Sequence, residues 1–183
     1  MKKLTMILLA GCVVALLGAV GHAADNTTNA PTAAKVRIGT YDSRSLAIAY
    51  AGSAPFNQWL SGLKSQHDQA KAAGDQKRMA ELEAEGKAGQ KLLHMQGFST
   101  APVTNILDQI KDQLPAIKEQ AHVEALVSKW DQAGLAGYPK AGTVDVTEAL
   151  VDALHPTDRQ RKSAIEIREH APIPLQQAAH MDD

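Results

Sequence analysis

Cysteine is almost missing: the chain has one, Cys12, among 183 residues, and it falls inside an apolar stretch at the amino end. If that stretch is removed, no disulfide framework, thiolate nucleophile or cysteine-ligated zinc remains available. Aromatic residues make up only 4% of the chain. That is thin for an all-β core, which draws on Tyr, Phe, Trp and β-branched side chains. Charge of one sign is also lacking, with 19 Lys and Arg against 20 Asp and Glu. A surface so balanced gives no electrostatic reason to expect nucleic acid as a partner. What the chain does have is Ala, Gln, Lys, Glu and Leu in quantity, the residues that favour helix.

The single long apolar run is at the start. Lys2 and Lys3 are followed by an uncharged segment from Leu4 to Val20, then by small residues through Ala24. A positive end, an apolar centre and a small-residue exit are the three parts of a secretory signal. The expectation is cleavage after about residue 23, with export to the periplasm or the extracellular space. Two alternatives stand beside it: a retained anchor, and cleavage before Cys12 in Leu9-Ala10-Gly11-Cys12, which has the form of a lipoprotein box and would leave a lipid-anchored protein. Loss of Lys2 and Lys3 leaves 17 basic residues against 20 acidic ones, a net charge of −3. Removal of 23 residues from 183 leaves 160, the size of one ordinary domain.

Beyond a small, polar leader at 24–34, Val36–Tyr41 alternates apolar and polar residues and reads as a short strand. Asp42-Ser43 is placed to cap a helix through Arg44–Ala51. Residues 54–121 then read as a long helical arm. Its starts are marked by Ser53-Ala54-Pro55 and Thr100-Ala101-Pro102, where a hydroxyl meets an orphan N–H and proline loses nothing. Apolar residues from Val103 through Leu107, Ile110, Leu114, Ile117 and Ala121 alternate steps of four and three, a coiled-coil-type seam with a kink expected at Pro115. Gly74-Asp75 is the favoured turn of the hairpin, and Gly86, Gly89 and residues 97–101 are other candidates. A second strand is expected within Val123–Trp130, a loop over 131–142, and a third strand at Thr143–Val146. Thr147 should cap a helix to Leu154, and Thr157 with Gln160 should form a capping box for another, ended by Pro172-Ile173-Pro174 and continued as an extended tail. The fold class is therefore α+β: mostly helical, with about three short strands and an inserted long helical hairpin.

Residues able to carry chemistry are scattered. Glu119 and His122 share one helical face, but a di-iron bundle repeats that motif and adds further glutamates. Glu166, Glu169 and His170 fall at a helix end, where a histidine cation complements the dipole. Ser43, Ser45, Ser99 and Ser163 are outside any nucleophile elbow. The glycines and lysines of 86–91 lack phosphate-loop spacing, and Arg159, Arg161 and Lys162 make a small solvated cluster. The expectation is no catalytic site, no metal and no cofactor.

The order of elements, with VRIGTYDSRSL first, VEALVSKW returning after the helices and VDVTEALVDAL closing, resembles the OmpH/Skp family of periplasmic chaperones over residues 35–154. The resemblance implies a trimer with a small β body and helical tentacles that holds unfolded envelope proteins without nucleotide. The chain departs from the family in its charge, since residues 60–95 carry six Lys and Arg against five Asp and Glu. The segment 155–183 has no counterpart there. On this reading Phe56, Trp59 and Leu63, near the root of the arm, are the client-binding residues. The alternative is that they pack into the core against Ile106, Ile110 and Leu114. Three functions follow: an exported polypeptide-binding protein that is not an enzyme, an envelope interaction protein of the same fold without chaperone activity whose tail docks on one partner, and an exported enzyme of unknown type.

Overall fold

The computed structural model describes residues 36–181, so the expected signal sequence, Cys12 and the leader lie outside the described residues. The first strand, β1 (Arg37–Tyr41), is the middle of a three-stranded sheet of order β2-β1-β3, with β2 at Ala125–Ser128 and β3 at Gly142–Asp145. Both neighbours run parallel to it, Ile38 facing Ala125 on one side and Thr143 on the other. The segments Val36–Tyr41 and Val123–Trp130 thus supply adjacent strands. Parallel neighbours require crossovers. One is the helical excursion between β1 and β2, and the other is the short link through α6 (Gln132–Ala136), where the sequence had predicted only loop. The fold is mostly helical α+β with an inserted helical hairpin.

Directly after β1 comes α1 (Ser43–Tyr50), with Asp42 as its N-cap. Leu46, Ala47 and Ala49 of α1 are fully buried. Around them lie α3 (Gln76–Gly97), α7 (Thr147–Ala153) and α8 (Asp158–Glu166), the last two supplying Leu150, Val151 and Ala164 to the core. The predicted capping box is present, Thr157 accepting from the Gln160 backbone and the Gln160 side chain accepting from Thr157 N–H.

The hairpin consists of α2 (Ala54–Ala73) and α3 (Gln76–Gly97). Ser53 caps α2 by accepting from Phe56 N–H, with Pro55 in the first turn where its missing donor is harmless. The reversal falls at Gly74-Asp75: Gly74 has φ 70°, left-handed backbone that favours glycine, and Asp75 caps α3 by accepting from Arg78 N–H.

Several expectations are corrected. The arm is 54–97, not 54–121. Residues 104–121 form two short helices, α4 (Thr104–Leu107) and α5 (Leu114–Ala121), separated by a 3-10 turn at 108–110. Their apolar seam is real, but Val103, Ile110 and Ile117 bury into the core, with Leu107, Leu114 and Ala121 packed against it, rather than along a partner helix of an arm. Pro115 opens α5 instead of kinking a longer helix, because its ring clashes with the turn before it only inside a helix. Thr100 caps nothing, since α4 begins four residues later without a side-chain cap. Thr147 is not the cap of α7; it lies within that helix, and its hydroxyl accepts from Asp42 N–H at 3.0 Å. The tail does not stay extended. Ile173 N–H donates to the Phe98 carbonyl and Ser99 Oγ donates to the Ile173 carbonyl, after which α9 (Leu175–Ala178) packs on α3.

Candidate functional site

Two places concentrate side chains that the fold alone does not explain. The first is the root of the hairpin. Phe56, Trp59 and Leu63 occupy one face of α2 and are half-buried. None of them packs into the core; the hairpin supplies no fully buried member of it, and only Leu93 borders it. They pack instead on Tyr50, on one another and on α3: Tyr50 and Phe56 meet edge to face with ring centroids 5.5 Å apart, and Phe56 lies 5.6 Å from Trp59. Two glycines of α3, Gly86 and Gly89, make this possible. A Cβ at residue 89 would come within 2.6 Å of the Trp59 ring, and one at residue 86 within 3.2 Å of Leu63. Glycine at these two positions lets α2 and α3 close with the indole against Gly89 and Leu63 against Gly86.

Trp59 borders three separate cavities, of about 380, 150 and 420 Å³. Beside them Leu60 is 48% exposed and Leu92 38%. An open apolar surface on a frame whose backbone bonds are already made inside helices can capture apolar side chains without first having to fold.

The second place is the carboxyl end of the sheet, where ligands of open parallel sheets commonly bind. Asp42, Arg44 and Thr147 are all 1% exposed there. Arg44 Nε donates to Asp42 Oδ1 at 3.1 Å, Nη2 to Oδ2 at 2.8 Å, and Nη1 to the His170 carbonyl at 2.7 Å. Lys129 Nζ reaches the same carboxylate at 2.6 Å, and Trp130 Nε1 donates to it at 3.1 Å. Both cations also lie over the Trp130 ring, 5.1 and 4.7 Å from its centroid. Burial by itself would raise the Asp42 pKa. The bonds from Arg44, Lys129 and Trp130, with the charge of Arg44, outweigh it and hold the carboxyl at about 2.

A carboxylate held so firmly ionised is a weak proton acceptor at neutral pH. What the arrangement does physically is tie together the ends of β1 and β2, the start of α7 and the turn after α8. On the rim, Arg161 bridges Glu148 and Asp152, and Arg168 pairs with Asp145. The Ser43 and Ser45 hydroxyls are buried without a hydrogen-bond partner among the described residues.

The other candidates separate. His122 is the left-handed cap of α5, with φ 52°, and its N–H donates to the Glu119 carbonyl, so this pair is used in ending a helix. Among the described residues no three His, Cys, Asp or Glu side chains are placed to share a metal ion. Among them, too, no helix is long and apolar enough to cross a membrane. Sequence reasoning missed the Asp42 cluster, although a carboxylate, a cation and a tryptophan at two strand ends (Asp42-Ser43-Arg44, Lys129-Trp130) were visible. The signal that joins them, two parallel neighbouring strands, belongs to the tertiary fold.

No known protein family, characterised protein or solved structure matches the chain.

Proposed function

We propose that this is an exported, non-enzymatic polypeptide-binding protein that holds unfolded envelope proteins against the root of its helical hairpin. One observation carries the reading: α2 and α3 place no residue in the buried core cluster of the body, which only Leu93 of the hairpin borders, and they keep Trp59, Leu60 and Leu92 accessible around three cavities. Phe56, Trp59 and Leu63 are then the contact residues. Homo-oligomerisation is part of the same reading, a trimer by the resemblance to OmpH/Skp proteins, which multi-angle light scattering checks directly.

The test is dilution of a urea-unfolded outer-membrane β-barrel protein into buffer containing the chain. Aggregation should fall at stoichiometric ratios. Each large apolar contact contributes about 1.5 kcal/mol or more, so Trp59→Ala combined with Leu60→Ser should weaken capture at least about tenfold. The body core excludes these two side chains, so the thermal midpoint of the body should barely move. A variant that suppresses aggregation as well as the parent removes the hairpin root from the reading.

A further inference from the structure

A third feature lies beside the Asp42 cluster, which it borders through Trp130. A cavity of about 490 Å³ is lined by Ala125, Leu126, Val127 and Ser128, the whole of β2. Successive side chains of a strand point to opposite faces. Four consecutive residues can therefore border one cavity only if it runs alongside the strand, at its backbone edge. Since β2 ends the sheet, with β1 on one side only, this is its free edge. One wall is the segment Thr100–Thr104, and the other is α6 with Tyr138.

The edge is open for pairing. Apart from the ladder with β1, the main-chain bond reaching β2 among the described residues runs from Asp131 N–H to the Ser128 carbonyl, 3.0 Å. A free edge presents a row of N–H and C=O groups at the spacing of another strand. At four residues, β2 offers about 13 Å of it. The volume lies within the roughly 300–1,000 Å³ of ligand sites, and a small molecule would leave most of that row unpaired.

The slot also has a sign. Asp131 is the charged residue lining it, is exposed and makes no ion pair among the described residues; its Oδ1 accepts only from Gly134 N–H, at 2.9 Å. Lys129, two positions before it in the chain, is committed to Asp42. Tyr41, which also lines the slot, has its hydroxyl pKa pushed up by burial and by the Asp131 charge.

We infer that the free edge of β2 binds an extended polypeptide strand carrying a lysine or arginine, by strand addition between Thr100–Thr104 and α6, with the cation on Asp131. This is the backbone-led mode of peptide recognition, in which main-chain bonds supply affinity and side-chain positions supply selectivity. It uses a different surface from the hairpin root and survives or fails independently of it.

Fluorescence anisotropy on the full chain tests it with three labelled octapeptides. One alternates valine and threonine around a central lysine, a second has glutamate in place of that lysine, and a third is the lysine peptide N-methylated along one edge. The lysine peptide should bind. N-methylation should weaken it at least about tenfold, the loss of one or two hydrogen bonds. Asp131→Asn keeps the cap on α6, since asparagine caps as well, and should erase the lysine-over-glutamate preference. Thr104→Trp, at an exposed position on the wall, should block all binding, with circular dichroism confirming that the chain is folded. If that variant misfolds, the N-methyl comparison and Asp131→Asn still decide. Trp59→Ala should leave slot binding unchanged. Equal binding of the N-methylated peptide, or no binding at about 1 mM, overturns the inference. So does conversion of an oligomer to monomer by Thr104→Trp, which would make the slot a contact between copies of this chain.

Discussion

Asp42→Ala should lower the unfolding free energy by about 3–5 kcal/mol, read from urea midpoints at neutral pH, because it strands the Arg44 guanidinium in the interior. Lys129 is 37% exposed and can turn to water once the carboxylate is gone, whereas Arg44 at 1% cannot. Part of the loss is the cap, since Asp42 Oδ1 also accepts from Arg44 N–H at 3.1 Å. The size of the effect does not mean that the ion pair stabilises by that amount relative to an apolar pair. Replacing both residues, Asp42→Ala with Arg44→Met, should therefore cost less than Asp42→Ala alone. A double variant less stable than the single one would show that the charges are not what holds this end of the sheet.

The same group gives the protein a pH dependence of known sign. In the folded chain Asp42 titrates at about 2, below the ordinary 3.8, so the unfolded chain binds that proton more readily. Its contribution, on the order of 2 kcal/mol, is fully present above about pH 4 and disappears as pH falls through 2. Stability of the Asp42→Ala variant should accordingly be flatter across that acid window than the parent's.

Leu150→Ala is the second large effect, about 3 kcal/mol and within the usual 2–5 kcal/mol of a buried leucine truncation. Leu150 is fully buried in α7, within the core that α7 shares with α1 and α8. Those helices are too committed to neighbours to collapse into the void, so the cavity persists and the whole body should melt earlier. Leu82→Ala removes the same atoms from an equally buried position, but in the hairpin. There the loss should stay local. Amide exchange should accelerate in α2 and α3, while protection of β1 and α1 is retained. Matching global losses from the two would mean that the arm and body unfold as one unit, contrary to an arm held by one end.

Much of this architecture could be read along the chain, because the signals are local. A serine before a proline started α2, a glycine followed by an aspartate turned the hairpin, and Thr157 with Gln160 capped α8. Each depends on backbone groups within one turn of the residue concerned. The reading failed where the same pattern serves two ends. A four-three apolar seam over Val103–Ala121 suits a projecting arm and a core-facing pair of helices equally well. Periodicity shows which face is apolar and leaves open what covers it.

The sequence by itself determined the helical character of the chain, the three short strands and most of the helix starts, since propensity, capping and period act within a few residues. Only the tertiary structure decided that all three strands run parallel, that Gly86 and Gly89 lie against Leu63 and Trp59, and that Asp42, Arg44, Lys129 and Trp130 form one cluster. These are contacts between residues tens of positions apart. Which of many possible partners meets each residue is set by how the helices and sheet share a single buried volume, and no local preference encodes it.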